Sequence, residues 1–244
     1  MYNKDLFIFS LLLANLLLAQ GSFSNISVSD DISCRQQEKK TKPFRLSRKE
    51  KREGFKILFD GTNLDNWIDN SNQYVVEDGN IVMQPKVKYG GNLYTKEEYR
   101  NFVLRFEFLL TPGANNGLGL RHRYFEKERG YDGMELQILD DYDPKYKELE
   151  PYQYHGSLYS WVPAKRGHLK PAGEWNYQEV IMRDNHLKII LNGEVILDTD
   201  LSELVKNAPS GKEVGRLLYP KGHIAFLGHG DVVKFKHIRI KEIL

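Results

Sequence analysis

The residues best suited to chemistry lie on one alternating segment, residues 131–140. Its apolar side chains share one parity and are predicted to face a core, whereas Glu135 and Gln137 have the opposite parity. An anchored strand of this kind displays a carboxylate and an amide side by side on one face. This face is therefore predicted to be a binding or catalytic surface, with Glu135 at its centre.

Arg121 belongs to the preceding predicted strand, residues 117–124, and lies on a comparable polar face. Because consecutive strands usually pair, we expect Arg121 within reach of Glu135. A neighbouring guanidinium favours the ionised carboxylate, which is the form that a general base requires. A solvated cross-strand ion pair without a catalytic role would leave the same sequence pattern.

Two histidines occur in glycine-containing corners of the chain. His155 precedes Gly156, and His229 lies between Gly228 and Gly230. Glycine lets the backbone approach a ligand closely, and histidine titrates near neutral pH. His229 is a candidate catalytic residue and His155 a candidate substrate-binding residue, although an ordinary turn histidine is the simpler explanation of the local pattern taken alone.

Aromatic residues cluster between two predicted strands, at Tyr152, Tyr154, Tyr159 and Trp161. Sugars present flat C–H faces that stack on such rings, while their hydroxyls take hydrogen bonds from a few polar groups. Tyr159 and Trp161 are therefore candidate substrate-binding residues for a carbohydrate. Packing over the edge of a sheet is the alternative explanation.

Several common reaction classes lack their signatures. The sequence has no glycine-rich phosphate loop, no Gly-x-Ser-x-Gly, no His-Glu-x-x-His and no pair of cysteines. Nucleotide-dependent, serine-hydrolase and zinc-protease functions therefore have no local support. Glu, His and Asp side chains are compatible with a divalent cation, but no spacing demands one. No metal ligands are assigned and no cofactor is required.

The elements that position these residues are predicted to be short β-strands. Asp78-Gly79 and Asn192-Gly193 are strong signals for two-residue hairpin turns between alternating segments. In the last strand the apolar parity changes near Lys236, which predicts a β-bulge.

A single short helix is expected, over residues 202–207, and no helical period is long enough for a βαβ unit. Many short strands with glycine-rich turns favour an antiparallel sandwich or barrel.

Composition divides the chain into three predicted parts. Residues 1–21 combine Lys4 with an apolar run and small residues, as in a secretion signal, and the run is too short to span a bilayer. Residues 22–53 are polar and without period, so they are predicted to be a disordered basic linker. Residues 54–244 carry the β pattern. After cleavage of the signal segment, the mature protein is expected to have no stable membrane span. We expect it to be secreted, periplasmic or on a bacterial cell surface.

Charge and cysteine content limit the partners. Ten Lys and Arg against three Glu fall within residues 34–56, so the remaining domain is mildly acidic and nucleic acid is not expected as a partner. Cys34 is the single cysteine, which excludes an internal disulfide. The preceding residues, Asp31-Ile32-Ser33, fit the small-residue pattern of a lipidation site poorly, so a free thiol is expected over a lipidated one. Oligomeric state leaves no signal in the sequence.

Ordered stretches along the domain carry a family resemblance. They are residues 58–67, 115–121, 133–140, 156–159, 171–176, 191–193, 222–230 and 235–240. Together they make the domain similar to the 3-keto-disaccharide hydrolase family, whose members fold as concanavalin A-like jelly-roll sandwiches. The resemblance implies an all-β, antiparallel jelly-roll β-sandwich that acts on glycosides already oxidised at C3 of the sugar.

The resemblance also implies roles for individual residues. A C3 ketone acidifies the hydrogen at C2, so one base can remove it and the aglycone then leaves C1 by β-elimination, with water adding back in a net hydrolysis. We expect Glu135 or His229 to be the base, and Arg121 or a bound cation to stabilise the enolate oxygen. The residues expected to hold sugar hydroxyls are Gln137, Asp140 and Tyr159.

Two other functions remain open. Ordinary glycosidases use two carboxylates that flank the scissile bond, whereas this chain has Gln137 where a second acid would stand, which disfavours a standard glycosidase. A non-catalytic, lectin-like module of the bacterial envelope would use Glu135 and Arg121 only to bind hydroxyls. The primary prediction is an enzyme that cleaves 3-keto-disaccharides or 3-keto-glucosides.

Overall fold

The computed structural model of the chain describes residues 41–69, 71–86, 91–124 and 132–243. Within these residues the strands are β1 (Lys56–Phe59), β2 (Trp67–Asp69), β3 (Tyr74–Glu77), β4 (Asn80–Met83), β5 (Asn92–Tyr99), β6 (Phe102–Leu110), β7 (Asn115–His122), β8 (Met134–Leu139), β9 (Trp175–Arg183), β10 (His186–Leu191), β11 (Glu194–Asp200), β12 (Gly222–Gly228) and β13 (Val233–Glu242). The helices are α1 (Arg48–Arg52), α2 (Leu201–Lys206) and the 3-10 turns Pro144–Tyr146, Pro151–Gln153 and Gly215–Leu218.

The strands form two antiparallel sheets. Sheet A has the order β11-β10-β9-β6-β13-β4-β3, with β1 also paired to β13, and sheet B has the order β2-β5-β12-β7-β8. Their inner faces enclose the apolar core, where Phe226 of sheet B stacks on Phe235 of sheet A with ring centroids 3.7 Å apart. This arrangement confirms the expected jelly-roll β-sandwich. The two strands that come last in the sequence, β12 and β13, are interior strands of the two sheets.

Both predicted hairpin turns are present. Asp78 and Gly79 have φ of 49° and 76° between β3 and β4, and Asn192 and Gly193 have φ of 52° and 97° between β10 and β11. Positive φ at both central residues is the type I′ geometry, whose twist matches that of the flanking strands. The short helix expected over residues 202–207 is α2.

The predicted bulge lies in β13. Its pairing with β6 shifts between Lys236 and Arg239, and His237 has a positive φ of 52°. The extra residue restores the inward direction of the side chains, because Phe235 before it and Ile238 after it are both fully buried.

Residues 41–53 correct the prediction of a disordered linker. Ser47 and Glu50 form a capping box at the start of α1, and the Glu50 carboxylate lies 2.7 Å from the Arg239 Nε of β13. Phe44 stacks on His237 with ring centroids 4.5 Å apart. The buried Glu50 and the Phe44 ring therefore hold this segment against β13. Its basic composition alone had suggested a linker.

The predicted signal segment, residues 1–21, and residues 22–40 of the predicted linker lie outside the described residues. In the described part of the chain, every helix is too short or too polar to cross a lipid bilayer.

The ion pair between Glu50 and Arg239 gives the fold a pH dependence. Burial raises the pKa of Glu50, but hydrogen bonds from Ser47 and the Arg239 guanidinium outweigh it and bring this pKa to about 2. A lowered pKa means that the ionised carboxylate stabilises the folded state at neutral pH. That contribution is lost as the pH falls from about 4.5 towards 2.

We expect Glu50→Ala to lower the free energy of unfolding by about 2–3 kcal/mol at pH 7, because it leaves the Arg239 guanidinium buried without its carboxylate. Urea unfolding monitored by tryptophan fluorescence measures the change. The matched control is Glu53→Ala, which removes a half-exposed carboxylate of the same segment and should cost less than about 1 kcal/mol. Equal losses in both variants would contradict a specific role for Glu50, as would a Glu50→Ala loss that persists at pH 2.

Candidate active site

β8 is the edge strand of sheet B, and residues 157–159 pair with the side of β8 that faces away from β7. The Tyr159 N–H donates to the Glu135 carbonyl oxygen at 2.9 Å, and Leu136 forms an antiparallel bridge with Leu158. Leu136 and Leu158 are both in the core, so Glu135 and Tyr159, which face each other across the pair, project from the opposite surface. The backbone therefore brings a carboxylate and a phenol to one place.

A pocket of about 650 Å³ opens on this outer surface of β8. Glu135 and Gln137 form its floor, residues 146–161 and 212–217 form its walls, and His229 reaches it from the turn between β12 and β13. Each of the two floor residues is only 5% exposed. The polar face of β8 is thus covered by loops, and the pocket has the size of a small-ligand site.

Glu135 and His229 are in contact although 94 residues separate them in sequence. The His229 Nε2 lies 3.2 Å from the Glu135 Oε1. Because an ionised carboxylate can only accept a hydrogen bond, Nε2 is the donor in this pair, and in the neutral tautomer Nδ1 keeps its lone pair. The His229 side chain is 38% exposed and that of Glu135 is 6% exposed. The imidazole is therefore the more accessible member of the pair.

Gly117 of β7 makes room for the Glu135 side chain. In the register of β7 and β8 it lies opposite Gln137. A Cβ at Gly117 would lie 2.1 Å from the Glu135 Oε1, well inside contact distance. The carboxylate therefore rests on bare backbone, and only glycine fits beneath it without displacing it.

A row of polar side chains continues from the floor of the pocket. The Gln137 Nε2 donates to the Asn115 Oδ1 at 3.3 Å, and the Asn115 N–H donates to the Asp231 Oδ2 at 3.0 Å. These bonds tie the start of β7 to the turn that carries His229. They hold two amides beside the catalytic candidates.

The aromatic wall contains both predicted aromatic residues. Tyr159 and Trp161 line the pocket, and the Tyr159 Oη accepts a hydrogen bond from the Gln153 Nε2 at 3.1 Å. The Lys212 Nζ lies over the Trp161 ring, 3.9 Å from its centroid. One face of this indole is thus already covered by a cation, while Trp161 also packs against the core.

The prediction that Arg121 lies beside Glu135 is wrong. The register of β7 and β8 places Gly119, not Arg121, opposite Glu135. Arg121 has a positive φ of 53°, is only 2% exposed, and donates to the carbonyl oxygens of Asp184 and Arg100. Its guanidinium links sheet B to the turn between β9 and β10, and it does not line the pocket.

Asp140 also has a structural position, in contrast to its predicted contact with substrate. Its Oδ2 accepts from the Gly113 N–H at 2.8 Å, and its Oδ1 accepts from the Tyr142 N–H at 3.3 Å. The carboxylate therefore joins the turn after β6 to the chain that leaves β8. It does not line the pocket.

His155 likewise lies in the interior and not in the pocket. It is 2% exposed, its Nε2 lies 3.1 Å from the Gln178 Oε1, and its ring stacks on Phe108. Burial lowers the pKa of His155 to about 4, so the ring is neutral at physiological pH. Gly156 does form a turn, as the sequence predicted, but this turn directs the His155 side chain into the core.

Several pocket residues were not identified from sequence. Lys212, Glu213 and Arg216 come from a loop without any strand period, where charged residues look like an ordinary solvated surface. The Arg216 Nε lies 3.3 Å from the Glu213 Oε2 and 3.5 Å from the Asp132 Oδ1. Asn115 is the pocket residue that the sequence could have indicated, because it is the first residue of the strand that carries Gly117.

Metal ligation can be assessed for the part of the chain that the structure describes. There, no group of three or more His, Cys, Asp or Glu side chains is arranged to hold a metal ion. Glu135 and His229 supply two adjacent donors, and the compatibility of this site with a divalent cation stays a prediction.

The β-sandwich matches known proteins over most of its length. A 3-keto-disaccharide hydrolase from Bacteroides thetaiotaomicron is 26% identical, in an alignment that covers 78% of this chain and 79% of that protein. A candidate glycosyl hydrolase structure from Parabacteroides distasonis is 27% identical with a TM-score of 0.71, covering 83% of this chain and 100% of that one. A second one from the same organism is 30% identical with a TM-score of 0.67, covering 78% and 99%.

The same region carries a family signature. Residues 54–241 match the family described as the 3-keto-alpha-glucoside-1,2-lyase-like domain. The match includes both sheets, the floor of the pocket and the turn that carries His229. The chain therefore belongs to the 3-keto-alpha-glucoside-1,2-lyase-like domain family.

Proposed function

We propose that this protein cleaves glycosides whose glycosyl unit carries a ketone at C3, and that the reaction begins with removal of the C2 proton. The observation that carries the proposal is the contact between Glu135 and His229 on the floor of the pocket. Membership of the family and similarity to a 3-keto-disaccharide hydrolase support a glycoside-active enzyme. The ketone supplies the acidity that a single base needs.

The pair divides the work of the base between its two members. His229, the more exposed member, takes the C2 proton on Nδ1, while Glu135 accepts the Nε2–H bond and balances the positive charge that develops on the ring. Loss of the C2 proton places the electron pair in an enolate. Re-forming the C3 carbonyl then makes a C1–C2 double bond and breaks the bond from C1 to the aglycone oxygen.

The enolate oxygen needs donors, and Arg121 is too far inside the sandwich to act as one. In its place, the side-chain amides of Asn115 and Gln137 line the pocket with the Glu135–His229 pair, and Lys212 contributes a positive charge from its position over Trp161. Preorganised N–H groups and cations stabilise developing negative charge in a covered site. Water added to the C1–C2 double bond completes a net hydrolysis.

The carboxylates of the pocket do not fit a standard glycosidase well. Among the described lining residues, the carboxylates are Glu135 and Glu213. Glu213 is engaged by the Arg216 guanidinium at 3.3 Å and by the Gly215 N–H at 2.7 Å. A direct hydrolysis requires one of two carboxyl groups to donate a proton, and neither the His-paired nor the Arg-paired group is arranged for this.

We expect Glu135→Gln to reduce aglycone release from a 3-keto-glucoside by about 10²–10⁴-fold, because the neutral amide no longer balances the imidazolium. The side chain keeps its shape, so the thermal midpoint should stay close to that of the wild type. Chromogenic release from 4-nitrophenyl 3-keto-glucoside measures the rate, with Glu148→Gln as a surface control. Near-normal turnover of Glu135→Gln would rule out this role.

We expect the protein to exchange the C2 hydrogen of a 3-keto-glucoside with D₂O, and to leave the C2 hydrogen of the unoxidised parent untouched. Proton NMR follows the exchange separately from C1–O cleavage. Hydrolysis of the parent glycoside at a similar rate would point to a standard glycosidase. Binding of the keto sugar without exchange or release would point to a lectin-like module.

We expect Gly117→Ala to reduce aglycone release strongly while the fold is retained, since the new methyl group would occupy the space of the Glu135 carboxylate. Because both changes act on one side chain, the double variant Gly117→Ala/Glu135→Gln should be little slower than Glu135→Gln alone. Additive losses would show that Gly117 acts independently of Glu135. The measurements are the release rate and the thermal midpoint.

A further inference from the structure

The elimination also requires a proton for the departing oxygen, and the structure offers a donor beside the base. Tyr159 faces Glu135 across the pairing of residues 157–159 with β8, through the hydrogen bond from its N–H to the Glu135 carbonyl. Directly opposed residues of an antiparallel pair have Cβ atoms about 5 Å apart, on one face. The Tyr159 side chain therefore leaves the backbone on the same face as the Glu135 side chain, and both line the pocket with His229.

Gln153 fixes the direction in which the Tyr159 hydroxyl can donate. The Glu150 N–H donates to the Gln153 Oε1 at 2.9 Å, which identifies the carbonyl end of the amide. The Gln153 Nε2 therefore carries the hydrogens, and it lies 3.1 Å from the Tyr159 Oη. The 3-10 turn Pro151–Gln153, with its capping box, holds this amide in place.

A phenol that accepts from an amide N–H must direct its own proton elsewhere. Among the described residues the structure assigns no acceptor to that proton, and the Tyr159 ring lines the pocket. The Gln153 N–H is also in place to hold the phenolate oxygen once the proton has left. The arrangement is that of a proton donor aimed into the site.

Three other proton-bearing groups of the pocket, Tyr146, Lys212 and Arg216, already have partners in the protein. The Tyr146 hydroxyl donates to the Gly113 carbonyl at 3.1 Å, and the Lys212 ammonium donates to the Ser160 carbonyl. The charge of Arg216 is matched by two carboxylates. Tyr159 differs from these groups because its hydroxyl acts as an acceptor towards the protein.

We infer that Tyr159 is the catalytic proton donor to the leaving aglycone, an inference that rests on the proposed elimination. The C2 proton goes to His229, the C1–O bond breaks as the C1–C2 double bond forms, and the aglycone oxygen takes the proton of the Tyr159 Oη. Solvent then returns a proton to the phenolate and removes one from the imidazolium. No oxidant or reductant is consumed.

The test compares leaving groups. In Tyr159→Phe, release from methyl 3-keto-glucoside should fall by about 10²–10³-fold, because methoxide cannot leave without a proton. Release from 4-nitrophenyl 3-keto-glucoside should change far less, since nitrophenolate leaves unaided. The C2 hydrogen exchange in D₂O should persist. Tyr142→Phe, at a tyrosine outside the pocket whose hydroxyl donates to the Leu169 carbonyl, should match the wild type on both substrates.

A second variant keeps the phenol and changes only the direction of its proton. Gln153→Glu replaces the N–H donor by an acceptor, so the Tyr159 hydroxyl would donate to the new carboxylate. The same selective loss on the methyl substrate is expected.

Equal slowing of both substrates by Tyr159→Phe would overturn the inference, as would loss of C2 exchange together with release. Absence of C2 exchange in the wild type would instead overturn the proposed function, and this inference with it.

Discussion

The pairing of residues 157–159 with the edge of β8 is the interaction on which the site depends. An open edge would expose the backbone groups of β8 to solvent and leave Glu135 on a bare face. The added segment satisfies part of that edge through the Tyr159 N–H bond to the Glu135 carbonyl. It also carries the aromatic wall and its supporting loops. This backbone pairing therefore helps to bury the carboxylate, shapes the pocket and brings in the phenol.

Around this contact the pocket combines acidic, basic and amide side chains. Glu135 lies beneath the surface beside a histidine, and bare backbone at Gly117 gives it room. In the proposed reaction, the amides and cations that line the pocket would stabilise the developing negative charge. In the proposed reaction this composition would serve proton removal next to a carbonyl group, because the pocket offers a base and N–H donors instead of a pair of free acids.

Local signals predicted most of the fold and part of the site. Turn chemistry at Asp78-Gly79 and the parity change near Lys236 depend on neighbouring residues alone, and both features are present. The face of Arg121 could not be deduced from alternation, since a positive φ ends the alternation there. The role of residues 41–53 depends on a partner, Arg239, that lies almost 200 residues away. Loop 212–217 reaches the pocket through tertiary contacts that leave no period in the sequence.

The interior positions of β12 and β13 have a consequence for how the chain folds. β12 joins β5 to β7, and β13 joins β6 to β4 and β1, so neither sheet can close before residues 222–242 are available. During synthesis the earlier strands wait without their central partners, with long-range pairing as the slow step. His229 lies between these two strands. The contact between Glu135 and His229 therefore forms only when the last part of the chain is inserted. Activity that depends on this contact would report completed folding.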